Sequence, residues 1–309
     1  MLGVLTGFAI IAVVIGAGYL VVRVGVVPAG ANIALNRVAF FVASPALLFT
    51  ILADADLQVV FSGFLAVAAI SATVASLLFV LASRLLFRMR FGDTVIGSAA
   101  SGYVNANNIG LPVAVYVIGD PQFVAPVLLF QLIVFAPIVL GLLDANTRGR
   151  LTVLGVITQP LRNPIIIGSV LGLVVSLTGV ELPAPVLAPL ELLAGAAVPL
   201  VLLAFGMSLR GQKPMAAGSQ RRAIVTSTVI KSIIMPGIAF LLAEFVFHLS
   251  TELVVAATIM AALPSAQNIN NYAVRYDRGV MLARDVVLLS TLMAIPVIFV
   301  LAWLMHAGT

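Results

Sequence analysis

The stretch GYVNANNIGLPVAVYVIG, residues 102–119, decides the reading of this chain. It lies inside an apolar segment long enough to cross a membrane. Yet it places Asn105, Asn107 and Asn108, then Gly110 and Pro112, near the depth where a bilayer is driest. An amide buried without a partner costs a few kcal/mol, and a proline inside a helix costs about 3 kcal/mol or more. Several such costs at one depth predict a helix broken around a site. A second stretch, AALPSAQNINNYAVRY at residues 261–276, has the same character. The two are expected to meet in the fold.

Composition sets the class. Of 309 residues, 62% are hydrophobic and 9% are charged, against roughly 25% charged in soluble domains. The chain therefore reads as an all-α polytopic membrane protein, with the lipid bilayer as its first partner. The formal charge of +5 comes without a basic run beyond Arg221–Arg222, so nucleic acid is not an expected partner. With no cysteine, disulfides and thiolate metal sites are excluded. The N-terminal MLGVLTGFAI lacks a basic n-region and is expected to be a retained first helix.

A spanning helix needs about 20 apolar residues. Ten such segments are expected, over 3–22, 33–53, 59–83, 94–118, 123–143, 161–180, 186–207, 223–247, 252–274 and 284–305. Basic residues set their orientation. Arg23 and Arg37, then Arg84, Arg88 and Arg90, then Arg148, Arg150 and Arg162 fall on one side of this alternation. Arg210, Lys213, Arg221 and Arg222, and finally Arg275, Arg278 and Arg284, fall on the same side. Asp54, Asp56, Asp120, Glu181 and Glu252 mark the other. The basic side is expected to be cytoplasmic, with both termini outside.

Prolines suggest a repeat. Pro45 and Pro199, Pro112 and Pro264, and Pro137 and Pro296 pair at similar offsets. Residues 1–150 would then form a first five-helix repeat and residues 151–309 a second. Five is odd, so the second copy enters inverted. Two inverted five-helix repeats, with helices 4 and 9 broken and crossing, form a secondary-transporter architecture.

The chemistry follows from the breaks. An interrupted helix leaves N–H donors and carbonyl acceptors without partners, and half-helix N-termini carry partial positive charge that suits an anion. Both stretches carry Asn-x-Asn-Asn, at Asn105–Asn108 and Asn268–Asn271. Asn105 and Asn268 read as ligand-facing, with Asn108 and Asn271 carried beside them, and Asn107 and Asn270 read as mainly structural. Ser265 and Gln267 are candidate lining residues. Gln131, a lone amide in LLFQLIVF, should face protein or water rather than lipid, either as a lining group or in an interhelical hydrogen bond. Lys231 could attract an anion or snorkel to the interface. Neither break carries Asp or Glu, there is no phosphate-binding glycine loop, and no catalytic constellation lies at membrane depth. An enzyme is therefore not expected, nor a metal or cofactor.

At these two stretches the chain resembles the auxin efflux carrier family, within the wider group that includes bile-acid transporters. The first break reads Asn105-Ala-Asn-Asn-Ile-Gly110-Leu-Pro112, with Ala106 where many members carry a polar residue. The second reads Pro264-Ser-Ala-Gln-Asn268, followed by Ala273-Val-Arg-Tyr276. Ser44-Pro45 and Ser290-Thr291-Leu292 are similar as well. The resemblance implies an elevator-like carrier of a small organic anion, auxin-like or a dicarboxylate. Spans 1, 2, 6 and 7 would be its scaffold, and spans 3–5 and 8–10 its transport domain. It also implies that Gln131 lines the substrate site, and a bacterial member in the inner membrane, with a homodimer as a compatible assembly. A sodium-coupled symporter of the bile-acid type uses the same crossover and stays as the alternative.

Overall fold

Apolar runs of Leu, Val, Ala and Ile become helices here, because a helix satisfies its backbone polar groups within the segment, as lipid requires. The structure is a computed structural model and describes residues 2–28, 30–55, 63–148, 161–210 and 220–307. Asp56, Arg150, Lys213 and the expected repeat boundary at 150–151 lie outside the described residues.

The helices, in chain order, are α1 (Leu2–Val24), α2 (Ala31–Ala53), α3 (Gly63–Phe87), α4 (Phe91–Gly102), α5 (Ala106–Ile118) and α6 (Pro121–Asn146). Then follow α7 (Pro164–Thr178), α8 (Ala184–Ser208), α9 (Arg221–Val246), α10 (Thr251–Ala262), α11 (Gln267–Tyr276) and α12 (Val280–Ala307). By length and composition, six of these are apolar and long enough to cross a membrane: α2, α3, α6, α8, α9 and α12. The chain is a helical, multi-pass membrane protein. Two predicted spans are each found as two helices, 94–118 as α4 and α5, and 252–274 as α10 and α11.

Local sequence sets the ends. Asp120 and Asn163 each accept from the backbone N–H two residues on, with Pro121 and Pro164 next to them. Gly119, at φ 93°, closes α5 in the left-handed region that suits glycine. Four prolines within helices share a device, while Pro189, Pro199 and Pro296 stand inside regular α-helix. Wide π-type turns at Ala39–Ala43, Ala106–Gly110, Gln131–Phe135 and Ile230–Ile234 each end two residues before Pro45, Pro112, Pro137 or Pro236. A proline ring clashes with the carbonyl four residues back, and the widened turn moves that carbonyl aside.

This corrects one expectation. Gly110 and Pro112 do not mark the break, because both lie within α5, where the π-turn absorbs the proline. The interruption falls earlier, at Tyr103–Asn105, directly after α4. Pro264 does stand at its own break, between α10 and α11.

Contacts divide the chain into two compact units. The first comprises Met1–Phe61, Asn107–Ala125 and Pro160–Gln212. Its helices approach through small residues, as membrane helices do where lipid supplies no hydrophobic drive between them. A Cβ at Gly168 or Gly172 of α7 would fall on the carbonyl oxygen of Pro45 or Phe49 in α2. A Cβ at Gly206 of α8 would fall on that of Ile15 in α1.

The second unit comprises Ser62–Ala106, Pro126–Gln159 and Lys213–Thr309. Phe64, Phe79, Ile96 and Leu143 are fully buried in it. Hydroxyl pairs replace apolar contacts at two places, Ser83 with Thr94 at 2.7 Å and Ser101 with Ser227 at 2.8 Å. At the start of α4, the Asp93 carboxylate accepts from the Gly279 N–H at 2.7 Å, and Tyr276 Oη donates to Asp144 at 3.0 Å. The ends of α4, α6 and α11 are thereby held together.

The packing gives a test. Gly172→Ala sets a methyl group on a backbone oxygen and should cost about 1–3 kcal/mol. Gly16→Ala meets nothing within 4 Å and should be neutral or slightly stabilising, since Ala is the better helix former by about 1 kcal/mol. Thermal unfolding in detergent should show a fall of several degrees for the first substitution and none for the second. Equal melting of the two would contradict the close packing of α7 on α2.

Candidate functional site

The two helix breaks are joined backbone to backbone. Val104 and Ser265 form an isolated antiparallel β-bridge. The Asn105 N–H donates to the Pro264 carbonyl at 2.8 Å, and the Ala266 N–H donates to the Tyr103 carbonyl at 3.0 Å. The groups that each helix orphans by stopping are thus satisfied by the other break. Pro264 serves this pairing in two ways. It has no N–H to leave unsatisfied, and it disfavours helical conformation for Leu263 before it. Leu263 accordingly has φ −53° and ψ 148°.

Side chains from three further helices close around this bridge. Ser290 of α12 accepts from the Ser265 N–H at 3.0 Å. The Asn268 side chain lies beside the Tyr103 hydroxyl, and the Tyr103 ring packs edge-on against Phe135 at 5.4 Å. Lys231 of α9 is fully buried, and its Nζ donates to the Ala261 carbonyl at 2.7 Å. Ala261 lies in the last turn of α10, where carbonyls lack intrahelical donors and carry partial negative charge. The ammonium therefore caps the half-helix from within the unit. This burial excludes the snorkelling alternative.

Gln131 is 2% exposed and opens the π-turn before Pro137. Its side chain, Val104 of the first break and Ala261 of the second line one small cavity, together with Ser71, Met235 and Met260. The cavity volume is about 10 Å³, room for about one water and too small for a carboxylate substrate. The conformation described is closed at this point. Among the described residues, Gln131 Oε1 and Ser265 Oγ are buried without a hydrogen-bond partner. Buried polar atoms are nearly always paired, so two orphaned oxygens beside the joined breaks mark this region as one candidate site, though Ser44, Ser76 and Ser232 carry unpartnered hydroxyls elsewhere.

The predicted site residues divide accordingly. Asn105, Gln131, Lys231, Ser265, Gln267 and Asn268 all belong to the second unit. Asn105 is 4% exposed, whereas Gln267 and Asn268, at the first turn of α11, are half-buried. Asn271, one turn further along α11, is exposed and stands apart from the buried cluster. Asn108 belongs to the first unit, where its side chain accepts from Asn107 at 2.9 Å.

Three residues escape sequence reasoning. Tyr103 precedes the asparagines, and its aromatic ring reads as ordinary core. Ser290 lies in the Ser290-Thr291-Leu292 stretch that resembles the family, but nothing in that stretch assigns it a partner at the break. Asp285 is fully buried near the start of α12, paired with Arg284 at 2.9 Å, and its Oδ2 has no partner among the described residues. A carboxylate just inside the expected start of a span is its only signal.

Comparison with known proteins accords with this arrangement. A family model described as "Membrane transport protein" matches residues 148–302, half of the chain. No curated protein matches.

The lysine cap can be tested. Lys231→Met keeps much of the volume but leaves the Ala261 carbonyl without a donor, a loss of about 1–3 kcal/mol. Detergent melts should show clear destabilisation, whereas a melting temperature equal to wild type would remove Lys231 as the cap of α10. The matched segment covers this break, its cap and its α12 partner, and the chain belongs to the auxin efflux carrier family of membrane transport proteins.

Proposed function

We propose that the chain is a secondary transporter of a small organic carboxylate, working by elevator-type alternating access. The observation that carries this reading is the paired break. Two interrupted helices are held back to back by the Val104–Ser265 bridge, beside orphaned oxygens of Gln131 and Ser265. In this reading the cavity opens, and Asn105 and Asn268 donate amide hydrogens to the carboxylate. Gln131, Ser265 and Gln267 line the site. The N-terminus of α11 adds partial positive charge. The Lys231 amino group, hydrogen-bonded at the neighbouring half-helix end, is positioned to favour an anion when protonated.

The grouping of contacts supports an elevator. One unit gathers α1, α2, α7 and α8, which cover expected spans 1, 2, 6 and 7, and the other gathers α3, α4 and α9–α12 with most of α6. The first would be the scaffold and the second the carrier. In one respect the grouping departs from the family's implied division, since most of α5 clusters with the first unit. Ten spans in two inverted repeats, both termini outside and a plasma-membrane location complete the reading.

The second reading is a sodium-coupled symporter of the bile-acid type. Here the Ala261 carbonyl at the α10 end is already taken by the Lys231 amino group, which leaves one fewer oxygen there for a cation. Purified protein in proteoliposomes, given a panel of labelled mono- and dicarboxylates with and without Na⁺ and pH gradients, separates the two. The expected result is Na⁺-independent movement of at least one carboxylate. Asn105→Ala, Asn268→Ala and Gln131→Ala should each lower it at least ten-fold while melting as folded proteins. Wild-type rates in all three variants would overturn the site, and strict Na⁺ dependence would favour the symporter.

A further inference from the structure

Within the second unit, α3, α4 and α6 enclose an apolar groove of about 400 Å³. Its rim includes Leu77, Val134 and Ile138, which are 60%, 43% and 54% exposed. In a multi-pass membrane protein such a surface faces hydrocarbon. The groove is lined along α3 from Thr73 to Arg84. Eleven residues at about 1.5 Å rise make about 16 Å, close to half of a roughly 30 Å hydrocarbon core. The groove is therefore about one leaflet deep. Arg84 is its one charged lining residue. It is exposed and, among the described residues, has no hydrogen bond or carboxylate partner. It lies on the side where the chain concentrates its Lys and Arg.

We propose that this groove is a binding site for an anionic phospholipid of the basic-side leaflet. One acyl chain fills the groove, and the phosphate rests on the Arg84 guanidinium. Charge complementarity commits the site to this occupant. The groove is as deep as an acyl chain is long, and the free cation stands at the mouth, where a phosphodiester lies. Arginine pairs with phosphate oxygens in a planar, two-pronged geometry. The same unit carries an internal contrast. A larger groove of about 950 Å³, between α9, α10 and α12, has Glu244 as its one charged lining residue. A carboxylate at that position repels an anionic headgroup, so the second groove should not select for one. The proposal is independent of the carboxylate-transport reading and rests only on the membrane-spanning character of the chain.

The test uses the full chain in nanodiscs of phosphatidylcholine containing 20 mol% phosphatidylglycerol, at about that doping, followed by native mass spectrometry of retained lipid. Wild type should retain phosphatidylglycerol above its share of the bilayer. Arg84→Gln should lower the phosphatidylglycerol-to-phosphatidylcholine ratio about five-fold, the effect of one cation facing an anionic leaflet. Ile138→Trp should displace lipid of both kinds by filling the groove, and Glu244→Gln should leave the ratio unchanged. Rising salt should lower the wild-type ratio by screening, which keeps the test independent of any variant's folding. A wild-type ratio equal to that of the bulk bilayer would mean annular contact only and would overturn the proposal. So would an unchanged ratio in Arg84→Gln or undiminished retention in Ile138→Trp.

Discussion

Two hydrogen bonds between broken helices set the terms for the rest of this structure. The Asn105 N–H meets the Pro264 carbonyl, and the Ala266 N–H meets the Tyr103 carbonyl. In lipid, a backbone group without a partner costs several kcal/mol, so neither break is tolerable alone. Each is the other's solution. The pairing fixes the depth and facing of α4 against α10 and sets Ser290 and Lys231 in their supporting places. Lys231 is buried for the same reason. A charge inside a membrane protein needs a partner, and the end of α10 supplies one in the Ala261 carbonyl. A structural cap and a source of positive potential are then one side chain.

Prolines shape the surroundings without breaking them. Four π-turns widen a helix just before a proline, and two of them carry the buried side chains of Gln131 and Lys231. A widened turn shifts the side-chain register of the helix. Gln131 opens the widened turn before Pro137, and Lys231 is the second residue of the widened turn before Pro236, so both fall where the register shifts. The small residues of α7 and α8 act differently. They bring backbones into contact within the first unit and leave no room for a methyl group.

The broad features were legible in the sequence because they follow from burial costs. Charge content and long apolar runs identified a helical membrane protein, and asparagines at membrane depth identified two interruptions. The family motif at the second interruption lies inside the segment that the family model matches. The position of the first interruption was not legible. Pro112 is the loudest helix breaker in its stretch, yet a local change of helical pitch absorbs it, and pitch leaves no mark in hydropathy. Lys231 was ambiguous because sequence gives its depth but not the direction of its side chain. Ser290, Tyr103 and Asp285 were missed because their roles depend on which helix lies opposite. Asn271 shares a motif with Asn268, but one turn further along α11 it is exposed.

In the reading proposed here, the two breaks form one carboxylate site. A structure of the protein bound to a carboxylate that it transports would test this most directly. The account predicts the carboxylate between α4 and α11, within hydrogen-bond distance of the Asn105 and Asn268 side chains, with the Gln131 cavity enlarged around it. A ligand bound elsewhere, with the Val104–Ser265 bridge intact and the Gln131 cavity still closed, would contradict it.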